Sequence, residues 1–317
     1  MDKRGLLELV INRIPCLRAR EKLLLGEKFH REEDFYLLSK GDIEKIVNRP
    51  LKGPWTMDAF RSQAEKDAVT ARLRGMGYIA YGDDEYPPLL REVFDPPLLL
   101  FYRGVLPNPE QPLTAVVGTR RPSGHAAAQA YDIGRDLGRG GMPVVSGLAL
   151  GIDALAHRGN MDGGAPTVAV LGSGLDEVYP ASNRMLARRI LESGGVLLSE
   201  YPPGTAPFKW NFPARNRIIA GLARGVVIVE APERSGALIT ARFALEQNRD
   251  LMVASAGVAS PLGAGTKKLA EDGARVITGA AEIFEEWGLA YSGEGSSGNG
   301  TDLALSLGRS LNIVCEE

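Results

Sequence analysis

The stretch Leu113-Thr114-Ala115-Val116-Val117-Gly118-Thr119-Arg120-Arg121-Pro122-Ser123-Gly124 decides the fold, because a short apolar run passes directly into a glycine-bounded turn. A run of four to six apolar residues without alternation is typical of a strand that is buried on both faces. Six similar runs follow, separated by helical patterns, at residues 143–146, 167–171, 196–199, 226–229, 251–254 and 275–278. This alternation predicts a doubly wound α/β domain with a mainly parallel sheet over residues 113–280.

The segments on either side of this domain have a different composition. Residues 1–75 contain few glycines and repeat apolar residues at helical spacing, which predicts a small all-helical (SAM-like) domain. Residues 76–112 contain two Pro-Pro pairs, which stop helices, and end in an extended apolar run. We therefore expect a connector that leads into a first extended segment. Residues 291–300 hold four glycines and three serines, so residues 281–317 are expected to form a flexible tail.

The composition is that of an ordinary soluble protein, with 44% hydrophobic and 24% charged residues. No run approaches the roughly 20 apolar residues that cross a bilayer, and the first residues lack a signal-peptide pattern, so we expect a cytoplasmic protein without membrane contact. Two cysteines, Cys16 and Cys315, argue against a disulfide framework or a structural zinc site. A net charge of -2 gives no global indication of nucleic-acid binding, which must be sought in local clusters.

Small residues follow several of the predicted strands. In an open parallel sheet, ligands collect at the carboxyl ends of the strands, where free backbone N–H groups bind anions. Residues 118–124 combine a glycine that allows close approach, a hydroxyl and a guanidinium group, a composition that suits phosphate. Residues 146–153 and 172–176 repeat the small-residue pattern. The turn at 118–124 matches neither a dinucleotide fingerprint nor a P-loop, so neither NAD nor ATP is indicated, and a plain strand-to-helix turn is the alternative.

Residues 201–229 carry the strongest functional signal, because they contain no acidic residue and four basic ones. The basic residues are Lys209, Arg215, Arg217 and Arg224. Phe208, Trp210 and Phe212 are interleaved with cations and amides, which is typical of single-stranded nucleic-acid binding, since rings stack on bases while cations neutralise the backbone. The alternative is that Trp210 and Phe212 are core residues, but burying Arg215 and Arg217 as well would be costly.

Candidate groups for catalysis are weaker. Asp153 and His157 are four residues apart on a predicted helix, a spacing that suits an acid/base pair but equally an ordinary helix-surface interaction, which we favour. The three histidines of the chain lie in different segments, which argues against a metal site. Asp176, Glu200 and Glu230 lie near strand ends, but no nucleophile–base constellation accompanies them.

Seven motifs in the same order, between about residues 86 and 278, resemble the DNA processing protein A family (DprA/Smf). The motifs are Gly118-Thr119-Arg120, Ser146-Gly147-Leu148-Ala149-x-Gly151-Ile152-Asp153, Ala156-His157-Arg158, Gly172-x-Gly174-Leu175-Asp176-x-x-Tyr179-Pro180, Ser199-Glu200-Tyr201-Pro202, Asn211-Phe212-Pro213-x-Arg215-Asn216-Arg217-Ile218-Ile219 and Arg234-Ser235-Gly236. The resemblance implies an extended Rossmann-like domain that binds single-stranded DNA, forms a homodimer and helps to load the RecA recombinase during natural transformation. It implies no catalytic activity and no cofactor.

The resemblance also implies a DNA-binding pocket. Its residues are Gly118, Thr119, Arg120, Ser146, Gly147, Gly172, Gly174, Asn211, Phe212, Arg215, Asn216, Arg217, Ser235 and Gly236, with Lys209 at the rim. Glycine N–H groups and two hydroxyls, from Thr119 and Ser235, are expected to hold phosphates. Three arginines, Arg120, Arg215 and Arg217, are expected to supply charge. Phe212 is expected to stack on a base or to wall the pocket.

The chain departs from the family pattern at four places, of which Thr119, where the family often has Ser, keeps the hydroxyl. Leu150 stands where the family often has a basic residue, which removes one possible phosphate contact. Residues 14–19 lack the glycines of the family's N-terminal helical hairpin, which makes a separate DNA contact through residues 1–75 doubtful. About 39 residues follow Thr278, so we expect no winged-helix domain.

Two other functions compete with this interpretation. A nucleotide-binding or phosphoribohydrolase-like enzyme would use the same kind of sheet, but that group typically shows a Pro-Gly-Gly-x-Gly-Thr motif, and residues 230–236 do not match it. A passive dinucleotide sensor would leave residues 208–217 without a purpose.

Overall fold

The computed structural model describes residues 3–291 of the chain. Five helices come first: α1 (Lys3–Arg13), α2 (Ala19–Lys28), α3 (Glu32–Tyr36), α4 (Lys40–Val47) and α5 (Met57–Leu73). An antiparallel part follows, with β1 (Gly77–Ala80), α6 (Pro88–Arg91) and β2 (Leu99–Gly104). The remaining elements are β3 (Thr114–Val117), α7 (Gly124–Arg139), β4 (Val144–Ser146), α8 (Ile152–Asp162), β5 (Val168–Val170), a 3-10 turn (Ala181–Asn183), α9 (Arg184–Glu192), β6 (Val196–Ser199), α10 (Asn211–Leu222), β7 (Gly225–Ile228), α11 (Gly236–Glu246), β8 (Asp250–Ala254), α12 (Ser255–Ala259), α13 (Ala264–Glu271), β9 (Arg275–Ile277) and α14 (Ala281–Glu286).

The strands form one sheet in the order β1-β2-β6-β5-β4-β3-β7-β8-β9. Strands β3 to β9 are parallel, and β2 joins β6 in antiparallel register, with Phe101 opposite Ser199. The chain moves outward from β3 through β6 and then returns to place β7 on the other side of β3. This reversal creates a topological switch point between the carboxyl ends of β3 and β7.

The sheet confirms the predicted doubly wound α/β fold, and a strand coincides with or overlaps each of the seven apolar runs. Five of these strands, β3 to β7, are buried along their whole length because helices cover both faces. Helices α7 and α8 approach closely through glycines. A Cβ atom at Gly159 would lie 2.1 Å from the Tyr131 carbonyl, so a larger residue cannot occupy that position without moving the helices.

The helices α1 to α5 share a hydrophobic core with one face of the sheet. Leu7, Val10 and Phe35 belong to the same buried cluster as Phe101 and Leu197 of the strands. A second cluster on the opposite face joins the sheet to α6, α10 and α11. The helical region therefore packs on the sheet instead of standing apart from it.

Two expected boundaries differ from the structure. The connector at 76–112 contains two paired strands, because β1 adds to β2 at the sheet edge. The segment that we expected to be a flexible tail begins with α14, which is ordered because Ile283, Phe284 and Trp287 are buried against α7 and the sheet. The Gly/Ser-rich residues 292–317 lie outside the described residues. Within residues 3–291, no helix is long and apolar enough to cross a bilayer.

Candidate nucleic-acid interface

An open cleft of about 880 Å³ lies at the switch point of the sheet. Three segments supply most of its lining: the turn after β3, the turn after β7, and the first turns of α10. Nine of the sequence-predicted residues line it: Gly118, Thr119, Arg120, Lys209, Phe212, Arg215, Asn216, Ser235 and Gly236. Gly147 lines an adjoining hollow of about 70 Å³, which shares Arg120, Phe212 and Arg215 with the cleft.

The cleft concentrates positive charge on a protein that is slightly acidic overall. Its lining contains five basic residues and one acidic residue, Asp153. Arg120, Arg121, Lys209 and Arg234 are exposed, and no carboxylate among the residues that the structure describes forms an ion pair with them. Because these cations are uncompensated, the cleft suits a polyanion.

A buried carboxylate organises the turn after β3. The Glu230 carboxylate accepts hydrogen bonds from the Ser123 N–H (2.7 Å) and hydroxyl (2.8 Å), while its backbone carbonyl accepts one from the Thr119 N–H (2.7 Å). A Cβ atom at Gly118 would lie 2.6 Å from Ile152 and 2.9 Å from the Glu230 carbonyl, so this close approach requires glycine. The turn that carries Arg120 and Arg121 is therefore fixed at both ends.

The half-buried Phe212 ring forms the aromatic wall of the cleft. Its centroid lies 5.4 Å from that of Tyr179 and 6.0 Å from the Arg120 guanidinium carbon. Asn216, one turn further along α10, donates to the Gly236 carbonyl (3.2 Å) and so ties α10 to the start of α11. At that start the Ser235 hydroxyl caps the helix by accepting from the Ala237 N–H.

Arg215 lies in the floor of the cleft, but its side chain is buried and already bonded. It donates to the Gly147 carbonyl (2.9 Å) and to the Val170 carbonyl. Asp153 beside it accepts from the N–H groups of Gly147 (3.0 Å) and Ala149 (3.4 Å). Burial lowers the pKa of Arg215 to about 10 and raises that of Asp153. Arg215 thus joins the loops after β4 and β5.

Arg217 does not line the cleft, contrary to the expected role. It is buried and forms ion pairs with Glu200 and with Asp95 (3.2 Å), which come from other segments. The two carboxylates compensate the desolvation of the buried guanidinium. The burial of a cation is therefore not by itself a reason to expect DNA contact.

Four more predicted residues lie behind the cleft and hold its loops. The Ser146 hydroxyl donates to the Val116 carbonyl (2.7 Å). The Asn211 amide donates to the Gly172 carbonyl (3.0 Å), and the Gly174 N–H donates to the Thr205 carbonyl (2.9 Å). These contacts connect the loop after β5 to the loop before α10, which places Lys209 and Phe212.

The helix-surface interpretation of Asp153 and His157 is wrong, because both side chains are buried. Asp153 bonds to backbone N–H groups, and His157 Nδ1 lies 2.7 Å from the Thr167 hydroxyl. That hydroxyl donates to the Val144 carbonyl, so it accepts from His157 Nδ1–H. Burial lowers the pKa of His157 to about 3, which keeps the ring neutral.

Among the lining residues that the sequence did not indicate, Arg121, Tyr179 and Arg234 have side chains suited to a nucleic acid. Each belongs to a turn or motif that had been recognised, and each directly neighbours or lies close to a chosen residue. Among residues 3–291, no group of three or more metal-ligating side chains is found.

Comparisons with known proteins agree with the geometry. A family model described as DNA recombination-mediator protein A matches residues 77–288. The DNA processing protein DprA of Bacillus subtilis (strain 168) is 38% identical over 261 residues, which cover 78% of this chain and 87% of that protein.

Two solved structures are also similar. DNA processing protein A from Streptococcus pneumoniae is 35% identical with a TM-score of 0.71, covering 87% of this chain and 95% of that one. DNA processing protein A from Helicobacter pylori is 27% identical with a TM-score of 0.59, covering 67% of this chain and 95% of that one, and its structure describes a single-stranded DNA binding mode.

Proposed function

Because this chain belongs to the DNA recombination-mediator protein A family, we propose that its cleft binds single-stranded DNA and that the protein acts as a recombination mediator. One observation carries the proposal: an open cleft at the switch point of the sheet is lined by four exposed cations around the Phe212 ring. Cations bind the phosphates of any sequence, while a ring wall stacks on a base whose face is free.

Each part of the cleft has a place in this binding. Arg120, Arg121, Lys209 and Arg234 neutralise phosphates from the two sides of the opening. The hydroxyl of Thr119 and the backbone of Gly236 at the start of α11 supply neutral contacts. Phe212 contacts a base, and a duplex, whose bases are stacked and paired, offers no free base face to it.

We further propose that the protein forms a homodimer and helps to load the RecA recombinase on incoming DNA in natural transformation, acting in the cytoplasm. The support for these statements is membership of the family and the resemblance of the seven motifs. The direct test is the assembly of RecA filaments on single-stranded DNA with and without the protein, together with its mass by sedimentation.

The proposal also holds that the protein acts by binding and without catalysis. The proposal is supported by the three carboxylates near strand ends, each of which already bonds to another part of the protein. Asp176 accepts from the Gly204 N–H (2.8 Å), Glu200 pairs with Arg217, and Glu230 holds Ser123. Carboxylates that fix loops are poorly placed to move protons on a substrate.

The first experiment is fluorescence anisotropy with a labelled oligonucleotide, as a single strand and as a duplex, over a range of salt concentrations. Single-strand binding that weakens with salt and resists free nucleotides supports the proposal. Failure to bind, or displacement by micromolar nucleotide, refutes it and favours a nucleotide-binding or phosphoribohydrolase-like enzyme on the same sheet.

A further inference from the structure

Two aromatic side chains, Phe208 and Trp210, lie beside the cleft but outside its lining. Their rings stack on each other, with centroids 4.8 Å apart and planes within 5° of parallel. Despite this contact, Phe208 is 46% exposed and Trp210 is 70% exposed. We call these two residues the aromatic pair.

The exposure of the aromatic pair indicates a ligand-binding surface. A stacked pair buries only the two inner ring faces, so the outer face of Trp210 meets water. Large rings left in water are unfavourable, and an aromatic surface of this kind usually serves recognition. A partner that itself presents flat aromatic faces matches the geometry best.

The positive charge around the aromatic pair favours binding of a polyanion. Lys209, between the two rings in sequence, lines the cleft. No acidic residue occurs from residue 201 to residue 229. Trp210 directly precedes α10, whose second residue is Phe212, so the exposed rings and the ring in the cleft are neighbours on one turn.

The loop that carries the aromatic pair is held in place before any ligand arrives. The Gly204 N–H donates to Asp176 Oδ1 (2.8 Å), and Arg13 of α1 donates to the Pro203 carbonyl (3.3 Å). At the other end, the Asn211 N–H donates to the Phe208 carbonyl (3.0 Å). A preorganised surface loses little conformational entropy on binding, which favours affinity.

We propose that the aromatic pair is a second nucleobase site, on which single-stranded DNA stacks a base adjacent to the nucleotides held in the cleft. This inference rests on the proposed function and adds to it a path for the strand, from Arg120 past Phe212 to the outer face of Trp210. Since stacking uses the ring face that every base has, the second site tolerates any sequence.

The test is an abasic scan of the full-length protein by fluorescence anisotropy. A short oligonucleotide is prepared with one base at a time removed, which keeps every phosphate. In the unaltered protein, loss of the base that stacks on Trp210 should weaken binding about 5- to 150-fold, in line with the usual effect of one stacked base. In Trp210→Ala the intact oligonucleotide should bind weaker by a similar factor, and the abasic effect at that one position should vanish.

Two variants separate stacking from a structural effect. Trp210→Phe retains a ring and should keep most of the affinity. Phe94→Ala removes another exposed ring, which lies under the Arg20 guanidinium and does not line the cleft, and should bind as the unaltered protein does. Tryptophan fluorescence gives a second readout, because Trp287 is buried and Trp55 packs against Phe60. DNA should quench a signal that is absent from Trp210→Phe.

Two results overturn the inference in different ways. If the abasic profile is the same in the unaltered protein and in Trp210→Ala, the aromatic pair is not a base site, while the proposed function stands. If no oligonucleotide binds at any salt concentration, the function fails and the second base site fails with it.

Discussion

Replacing Arg120 with Ala removes one of four exposed cations in the cleft, and the salt dependence of binding reports that loss. For single strands, the logarithm of the binding constant falls by about 0.7 per neutralised phosphate for each tenfold rise in salt. If each of the four cations contacts one phosphate, the slope is about -2.8. Raising the salt from about 50 to 200 mM then weakens binding roughly 50-fold.

In Arg120→Ala the slope should become about -2.1, so the same change in salt should weaken binding only about 20-fold. The affinity at the lowest salt should fall by about 1 to 3 kcal/mol, the range for a lost charge-assisted hydrogen bond. The protein should remain folded, because the Arg120 side chain is exposed and its neighbour contact is the face of Phe212.

The assay is an anisotropy titration of one labelled oligonucleotide at four salt concentrations, with circular dichroism as the check on folding. Arg224→Ala is the matched control. Arg224 is an exposed arginine of the same acid-free segment, but it stacks on Trp287 at 4.9 Å and lies outside the cleft. Equal slopes for Arg120→Ala and the unaltered protein, or an equal loss in both variants, would refute the assignment of phosphates to this cleft.

Three further predictions concern stability. Arg217→Ala should lower the free energy of unfolding by about 3 to 5 kcal/mol in urea, because it leaves Glu200 without its cation; unchanged stability with lost DNA binding would contradict this. Gly147→Ala should lower the free energy of unfolding by about 1 to 3 kcal/mol, since a Cβ atom there would lie 2.6 Å from the buried guanidinium of Arg215. Gly124→Ala is its control: the added Cβ atom meets open space, so the free energy of unfolding should fall by less than about 1 kcal/mol. His157, with its pKa of about 3, takes up a proton near pH 6.5 only when unfolded, so stability should fall by roughly 1.4 kcal/mol per pH unit below 6.5. In His157→Gln this part of the acid sensitivity should be missing, and parallel pH profiles for the two proteins would exclude the histidine as its source.

The sheet was predictable because its signal is local. The parallel strands lie in short apolar runs that end in a glycine, a small hydroxyl residue or a carboxylate, and burial of β3 to β7 on both faces enforces the apolar pattern. Strand β1 was missed because it has four residues, begins with glycine and forms only by pairing with β2. Helix α14 was missed because its six residues precede a Gly/Ser-rich stretch, and its anchoring by Phe284 depends on a surface that α7 and the sheet supply.

The candidate site was predictable to the level of its loops, but not to the level of each side chain. The turns after β3 and β7 and the start of α10 do meet, as expected for the carboxyl ends of a parallel sheet. The contacts that Arg215 and Arg217 make with the protein itself were not predictable, because their partners come from elsewhere in the chain. Asp153 lies in α8, and Asp95 lies before β2, so only the fold shows which cations are already neutralised.

Because the N-terminal helices share a hydrophobic core with the sheet, the part of the chain that folds together is longer than residues 77–288, which match the family model. The match to the family begins at residue 77, yet a chain shortened to that point would expose Phe101 of β2, which belongs to the same buried cluster as Leu7 and Val10 of α1. Such an apolar surface favours self-association. Arg13, which reaches from α1 to the loop before the aromatic pair, would be lost as well. The N-terminal helices therefore stabilise the sheet that carries the cleft, although no residue of α1 to α5 lines the cleft.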